Sequence, residues 1–193
     1  HTVFGLATWC GDCGADIFLT HVATELAVVR SMVGDIDRRR EVLGRRVAAK
    51  DLENCLEDAV SIFEAAMKAI TRRHIAASGV TPDEVEAKLK KVGNAFQNVD
   101  RAGEMLRDIL GISDPPEVPW AELAASFAKR HPITHNLGVV DRKYLERAHS
   151  AEREGCEVRM TVAEVCKTLD HVLAAVSAVH GLLFAANPWE GAA

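Results

Sequence analysis

Apolar residues recur along most of this chain at steps of three and four, the period of a helix with one buried face. Val22, Leu26, Val29, Val33 and Ile36 form the first stripe, which predicts a helix over about 16–44. Leu52, Leu56, Ala59, Phe63, Ala66 and Ile70 form the second, over 50–77, and Gly79 stops it. Thr81, Pro82 and Glu84 read as an N-cap, a first-turn proline and a capping-box glutamate. The helix they open runs to about 110, with Gly93 as a breaking point and Phe96, Val99, Ala102, Leu106 and Ile109 inward. A fourth helix starts at Pro119 and carries Trp120, Leu123, Ala124 and Phe127. Pro132 is expected to bend or end it, because proline lacks an N–H and restricts His131 before it. Cys156 to Met160 reads as briefly extended, and a Thr161–Glu164 capping box opens a last helix through Val165, Leu169, Val172, Val176, Val179 and Leu183. The expectation is one all-α domain of about five helices over 16–186, with a small appendage at 1–15 and a frayed tail at 187–193.

Strand-like alternation is confined to residues 2–9, which lead into Cys10-Gly11-Asp12-Cys13-Gly14. Two cysteines at this spacing, followed by glycine, make half of a tetrahedral zinc site, with Cys10 and Cys13 as thiolate ligands of a structural zinc. Cys55 and Cys166 sit in helical patterns and Cys156 lies far downstream, so the other ligands are expected before His1. Inert thiols and a redox pair are the other readings, the last requiring alternating strands and helices that the pattern lacks.

Composition narrows the function classes. With 48% hydrophobic and 26% charged residues, the 193-residue chain reads as an ordinary water-soluble domain. The net charge of -5 argues against a broadly basic face for long nucleic acid, so any such contact is local. Five cysteines, an odd number, point to a reducing and hence cytoplasmic setting. The most apolar stretch, 172–186, is interrupted by Ser177, His180 and Gly181 and falls short of the roughly 20 residues a membrane span needs. The first residue is His1 rather than Met, so a segment is expected upstream.

The candidate chemistry gathers in Lys129-Arg130-His131-Pro132-Ile133-Thr134-His135-Asn136. Arg130 is a permanent planar cation that matches phosphate oxygens, and an imidazole can exchange a proton near neutral pH. Neither a carboxylate pair nor a run of metal ligands adjoins them in sequence, so they suit attack on a phosphodiester by base, acid and cation. RNA brings its own nucleophile in the ribose 2′-hydroxyl. The plain alternative is a solvated helix end in which the cations favour the negative pole of the dipole. In an ideal helix Arg130 and His135 lie about 140° apart, so a local distortion or a second copy is needed to converge them.

The longer run from Arg130 to Leu145, RHPITHNLGVVDRKYL, resembles the signature of HEPN-domain proteins (higher eukaryotes and prokaryotes nucleotide-binding), an Arg followed after four to six residues by a His. The segments Phe96 to Ala102 and Leu56 to Glu64 are similar to one branch of that family, some of whose members carry an N-terminal zinc ribbon. The resemblance implies a homodimer with two motifs across a composite cleft, where paired copies of Lys129, Arg130, Arg142 and Lys143 supply local positive charge. It further implies a metal-independent endoribonuclease of toxin or phage-defence type, restrained by an antitoxin or other regulatory protein. Arg130 and His135 would be catalytic, with His131, Asn136 and Lys129 supporting, and the products would carry 2′,3′-cyclic phosphates. A non-catalytic module that binds or senses RNA or a nucleotide, and a zinc-ribbon adaptor that the helices merely dimerise, are the rival expectations.

Overall fold

The computed structural model describes residues 7–114, 116–148 and 150–184, which fold as an all-α bundle with two isolated β-bridges. Its helices are α1 (Phe18–Gly34), α2 (Ile36–Leu43), α3 (Arg45–Ala77), α4 (Pro82–Val92), α5 (Val99–Asp108), α6 (Trp120–Ala128), α7 (Arg130–His135), α8 (Arg142–Ala148) and α9 (Val162–Phe184), with a 3₁₀ turn at Ala95–Gln97. Most of the expected strand at 2–9, and the tail at 187–193, lie outside the described residues.

Helix α3 is the axis of the bundle. Its 33 residues span about 50 Å, and α1, α2 and α9 pack along it. Each stripe named from the sequence supplies buried residues: Val22 to Ile36, Leu52 to Ile70, Phe96 to Leu106, Leu123 with Phe127, and Val165 to Val179. Phe63 is fully buried at the centre and meets Phe127 edge to face, with ring centroids 5.4 Å apart. Among the described residues no helix is long and apolar enough to cross a membrane.

Three of the five expected helices are divided, each for a local reason. The first breaks at Asp35, and Gly44 at φ 92° then turns the chain into α3. The third stops at Gly93, and Asn98 recaps α5 by accepting from the Arg101 amide at 3.2 Å. Both expected capping boxes form: the Thr81 amide donates to Glu84 Oε2 at 2.8 Å and the Thr161 amide to Glu164 Oε2 at 2.7 Å.

The fourth helix breaks at Lys129, upstream of Pro132, and His131 stays helical rather than extended. A proline ring collides with the carbonyl four residues earlier, here that of Ala128, so the longer helix ends there. Pro132 then occupies the first turn of α7, where no N–H is required.

The N-terminal segment is clamped to the bundle. The Arg73 guanidinium stacks on Trp9 at 4.6 Å and Phe184 at 4.0 Å, and pairs with Asp16 at 2.6 Å. His180 lies between Phe18 and Phe184, near Asp16 and Arg73. Burial holds its pKa below the usual imidazole range; Arg73 acts in the same direction and Asp16 against it. The unfolded chain therefore takes up this proton first as pH falls. The stability gained from a neutral His180 is present above about pH 6.5 and is lost as pH falls through the lower folded value. Tm should drop between roughly pH 7.5 and 5.5 in a thermal melt, and His180→Gln should flatten that dependence.

Candidate functional site

Helix α7 sets the geometry of the motif. It is unbroken from Arg130 to His135, so side chains four apart share a face and those five apart diverge. Arg130 and Thr134 both reach Glu57 of α3: Arg130 Nε donates at 2.6 Å to one oxygen and the Thr134 hydroxyl to the other. Arg130 Nη1 donates to Gln97 Oε1 at 2.9 Å, Gln97 Nε2 to Glu64 Oε2 at 2.7 Å, and Lys68 Nζ to Glu64 Oε1 at 2.6 Å. A line of alternating donors and acceptors thus runs from the motif along α3.

The other face of α7 carries the imidazoles. The His131 and His135 rings lie 5.2 Å apart, His131 partly buried and His135 exposed. Asp141 lies behind them. Its Oδ2 is 3.5 Å from His131 Nε2 and accepts from Asn136 Nδ2 at 3.0 Å, while Oδ1 caps α8 by accepting from the Tyr144 amide at 2.7 Å. Burial lowers the His131 pKa, with Lys143, His135 and Arg147 adding to the shift and Asp141 opposing it. A neutral His131 keeps one ring nitrogen as a hydrogen-bond acceptor at neutral pH.

The structure thus brings His131, His135 and Asn136 to one side of α7 and holds Arg130 toward Glu57. Lys129 lies elsewhere: it is 18% exposed, and its ammonium donates to the Arg159 carbonyl at 2.6 Å and to Glu164 at 3.0 Å, tying α6 to the start of α9. The chain leaves α7 through Leu137, the only non-glycine residue with positive φ among those described, at 53°. An L-residue in this conformation costs about 1–2 kcal/mol, and Leu137 is 88% exposed, so packing within the chain does not repay it. Val140 and Val158 amides then donate to Cys156 and Gly138 carbonyls, anchoring the return on either side of an isolated bridge between Val139 and Glu157.

Glu57, Gln97, Thr134 and Asp141 are the site residues that reading the motif alone does not yield. Glu57 and Gln97 fall within the two upstream segments singled out in the sequence, but nothing there sets them apart from their neighbours. One Asp141 oxygen caps a helix and the other faces His131.

Beside Trp9 in the chain, Cys10 and Cys13 form a tight turn closed by the Gly14 amide on the Cys10 carbonyl at 3.0 Å, with Gly14 at φ 70°. Backbone amides of Cys13 and Asp12, and the Cys13 thiol, lower the Cys10 pKa. Two converging sulfurs, one favoured as thiolate, fit half of a zinc set. Among the described residues no group of three or more metal-ligating side chains completes it. Burial raises the Cys55 thiol to about 11. A limiting alkylating reagent at neutral pH should therefore modify Cys10 well before Cys55, as peptide mass mapping would show; equal rates would contradict the Cys10 environment.

Compared with known protein families, characterised proteins and solved structures, the chain matches none.

Proposed function

We propose that this protein is a HEPN-type, metal-independent endoribonuclease of toxin or defence type, acting as a homodimer on RNA. The observation that carries the proposal is α7 itself: two imidazoles 5.2 Å apart, backed by a carboxylate, on the same short helix as an arginine fixed on two sides. One imidazole removes the proton from the ribose 2′-hydroxyl, whose oxygen attacks phosphorus. The 5′-oxygen leaves with a proton from an acid, giving a 2′,3′-cyclic phosphate and a 5′-hydroxyl. Arg130 stabilises the charge gathering on the phosphoryl oxygens. His135, the exposed imidazole, is assigned to proton transfer at the substrate; His131 and Asn136 position it.

Because Arg130 and His135 diverge around an unbroken α7, we assign the arginine facing a given His135 to a second chain. The exposed Leu137 beside the motif, held at a strained φ, is an apolar surface for that second chain to cover. Cys10 and Cys13 are assigned to a structural zinc shared with residues outside the described chain.

One feature favours a second reading, a non-catalytic module that binds RNA or a nucleotide. Glu57 and Gln97 already occupy two donors of Arg130, as in a structural ion pair. Wild type, Arg130→Ala and His135→Ala, incubated with RNA in EDTA, separate the two. Cleavage by wild type alone, leaving cyclic phosphate ends, supports the ribonuclease. An inert, folded wild-type dimer, with or without a divalent metal, leaves the binding module.

A further inference from the structure

Helices α3 and α4 do not close against each other along their whole length. Between them, with Trp9 at one end, lies a groove of about 1090 Å³. Alanines line it on both sides, Ala65, Ala69 and Ala76 of α3 and Ala87 of α4, and their small side chains leave it open to solvent. Its walls carry four cations, Lys68, Arg72, Arg73 and Lys90, against one carboxylate, Glu86. Glu64 and Asp16 pair with Lys68 and Arg73 from beside the lining, which leaves a small local excess of positive charge in a chain of net charge -5.

We propose that this groove is a track for single-stranded RNA, separate from the motif but leading to it; the RNA assignment rests on the function proposed above. Two observations select a strand. The cations are spread over the length of the groove, from Lys68 to beyond Arg72, and the α3 stretch from Ala65 to Ala76 covers about 16 Å, several phosphates rather than one. Trp9, 45% exposed and lining the groove, offers an indole for a base to stack on, held in place by Arg73 at 4.6 Å.

The groove is also connected to the motif. Lys68 in its wall is the far end of the line through Glu64 and Gln97 to Arg130. A strand whose scissile phosphate meets Arg130 would leave along α3 past Lys68, Arg72 and Trp9. Arg72 is available to it: its pair with Glu86 is exposed on both sides and contributes little, so a phosphate can replace the carboxylate, whereas Lys68 and Arg73 are already paired with Glu64 and Asp16.

The test is fluorescence anisotropy of a labelled RNA decamer with the whole chain, at two salt concentrations. Arg72→Glu with Lys90→Glu, and separately Trp9→Ala, are expected to weaken binding about tenfold or more. The double charge change should also reduce the salt dependence. Arg38→Glu with Arg40→Glu, the same charge change on exposed α2 side chains, should weaken it much less. Equal losses in the groove and α2 variants, no loss in the groove variants, no binding by wild type, or AMP binding as tightly as the decamer would each overturn the track. Binding that depends on the groove in a protein that never cleaves would sink the ribonuclease and leave the track standing. Cleavage with KM unchanged in the groove variants would do the reverse.

Discussion

Mixing Arg130→Ala and His135→Ala chains, each inactive alone, is expected to restore RNA cleavage. Each parent should fall about 100-fold or more, the scale on which a general acid–base group or a charge-stabilising donor contributes. The mixture should recover roughly a quarter of the wild-type rate. Random exchange makes half the dimers mixed, and each mixed dimer holds one intact Arg–His pair of its two. The physical basis is the unbroken turn of α7, which directs Arg130 to Glu57 and His135 away from it. Recovery measured after subunit exchange, with the parents as baselines, checks the pairing across chains. If the mixture is no more active than its parents although mixed dimers form, the pair does not work in trans and the composite cleft is wrong.

Phe63→Ala should produce the largest loss of stability. Its ring is fully buried in the middle of α3 and packs edge to face on Phe127 of α6, the helix that leads into α7. Truncating a buried phenylalanine costs about 3–5 kcal/mol, from lost transfer energy and the cavity left behind. In a chain of this size that lowers Tm by roughly 10 °C. Val42→Ala, at an exposed position on α2, should change stability by no more than about 0.5 kcal/mol. A denaturant titration of both variants reads this directly. A loss for Phe63→Ala of under about 1 kcal/mol would mean that α6 does not lean on α3 as described.

The helices were legible because burial on one face leaves a period of three and four residues, and Val22, Phe63, Leu106 and Val176 all fall on it and are all buried. Their number was not, because the division between α6 and α7 is set at Ala128 by a proline four residues later. The motif was legible as a cluster, since Arg130, His131, His135 and Asn136 are adjacent in the chain. Its supports were not. Glu57 and Gln97 lie 73 and 33 residues from Arg130, and no local pattern distinguishes a carboxylate that clasps an arginine from one that faces water. Lys129 shows the converse: adjacent to Arg130 in sequence, it serves the start of α9 because the break between α6 and α7 turns it the other way.

Glu57 and Gln97 also determine when Arg130 gives up its freedom. A free arginine side chain forfeits on the order of 2 kcal/mol of rotamer entropy when a ligand orders it. Held at Nε and Nη1 before any phosphate arrives, Arg130 has made that sacrifice during folding, and its remaining N–H groups face an incoming anion in one fixed plane. Releasing the clasp would return the motion to the side chain and leave its charge unchanged. Glu57→Gln therefore touches readiness rather than attraction, and any weakening of ligand binding should come mainly from the entropy of association.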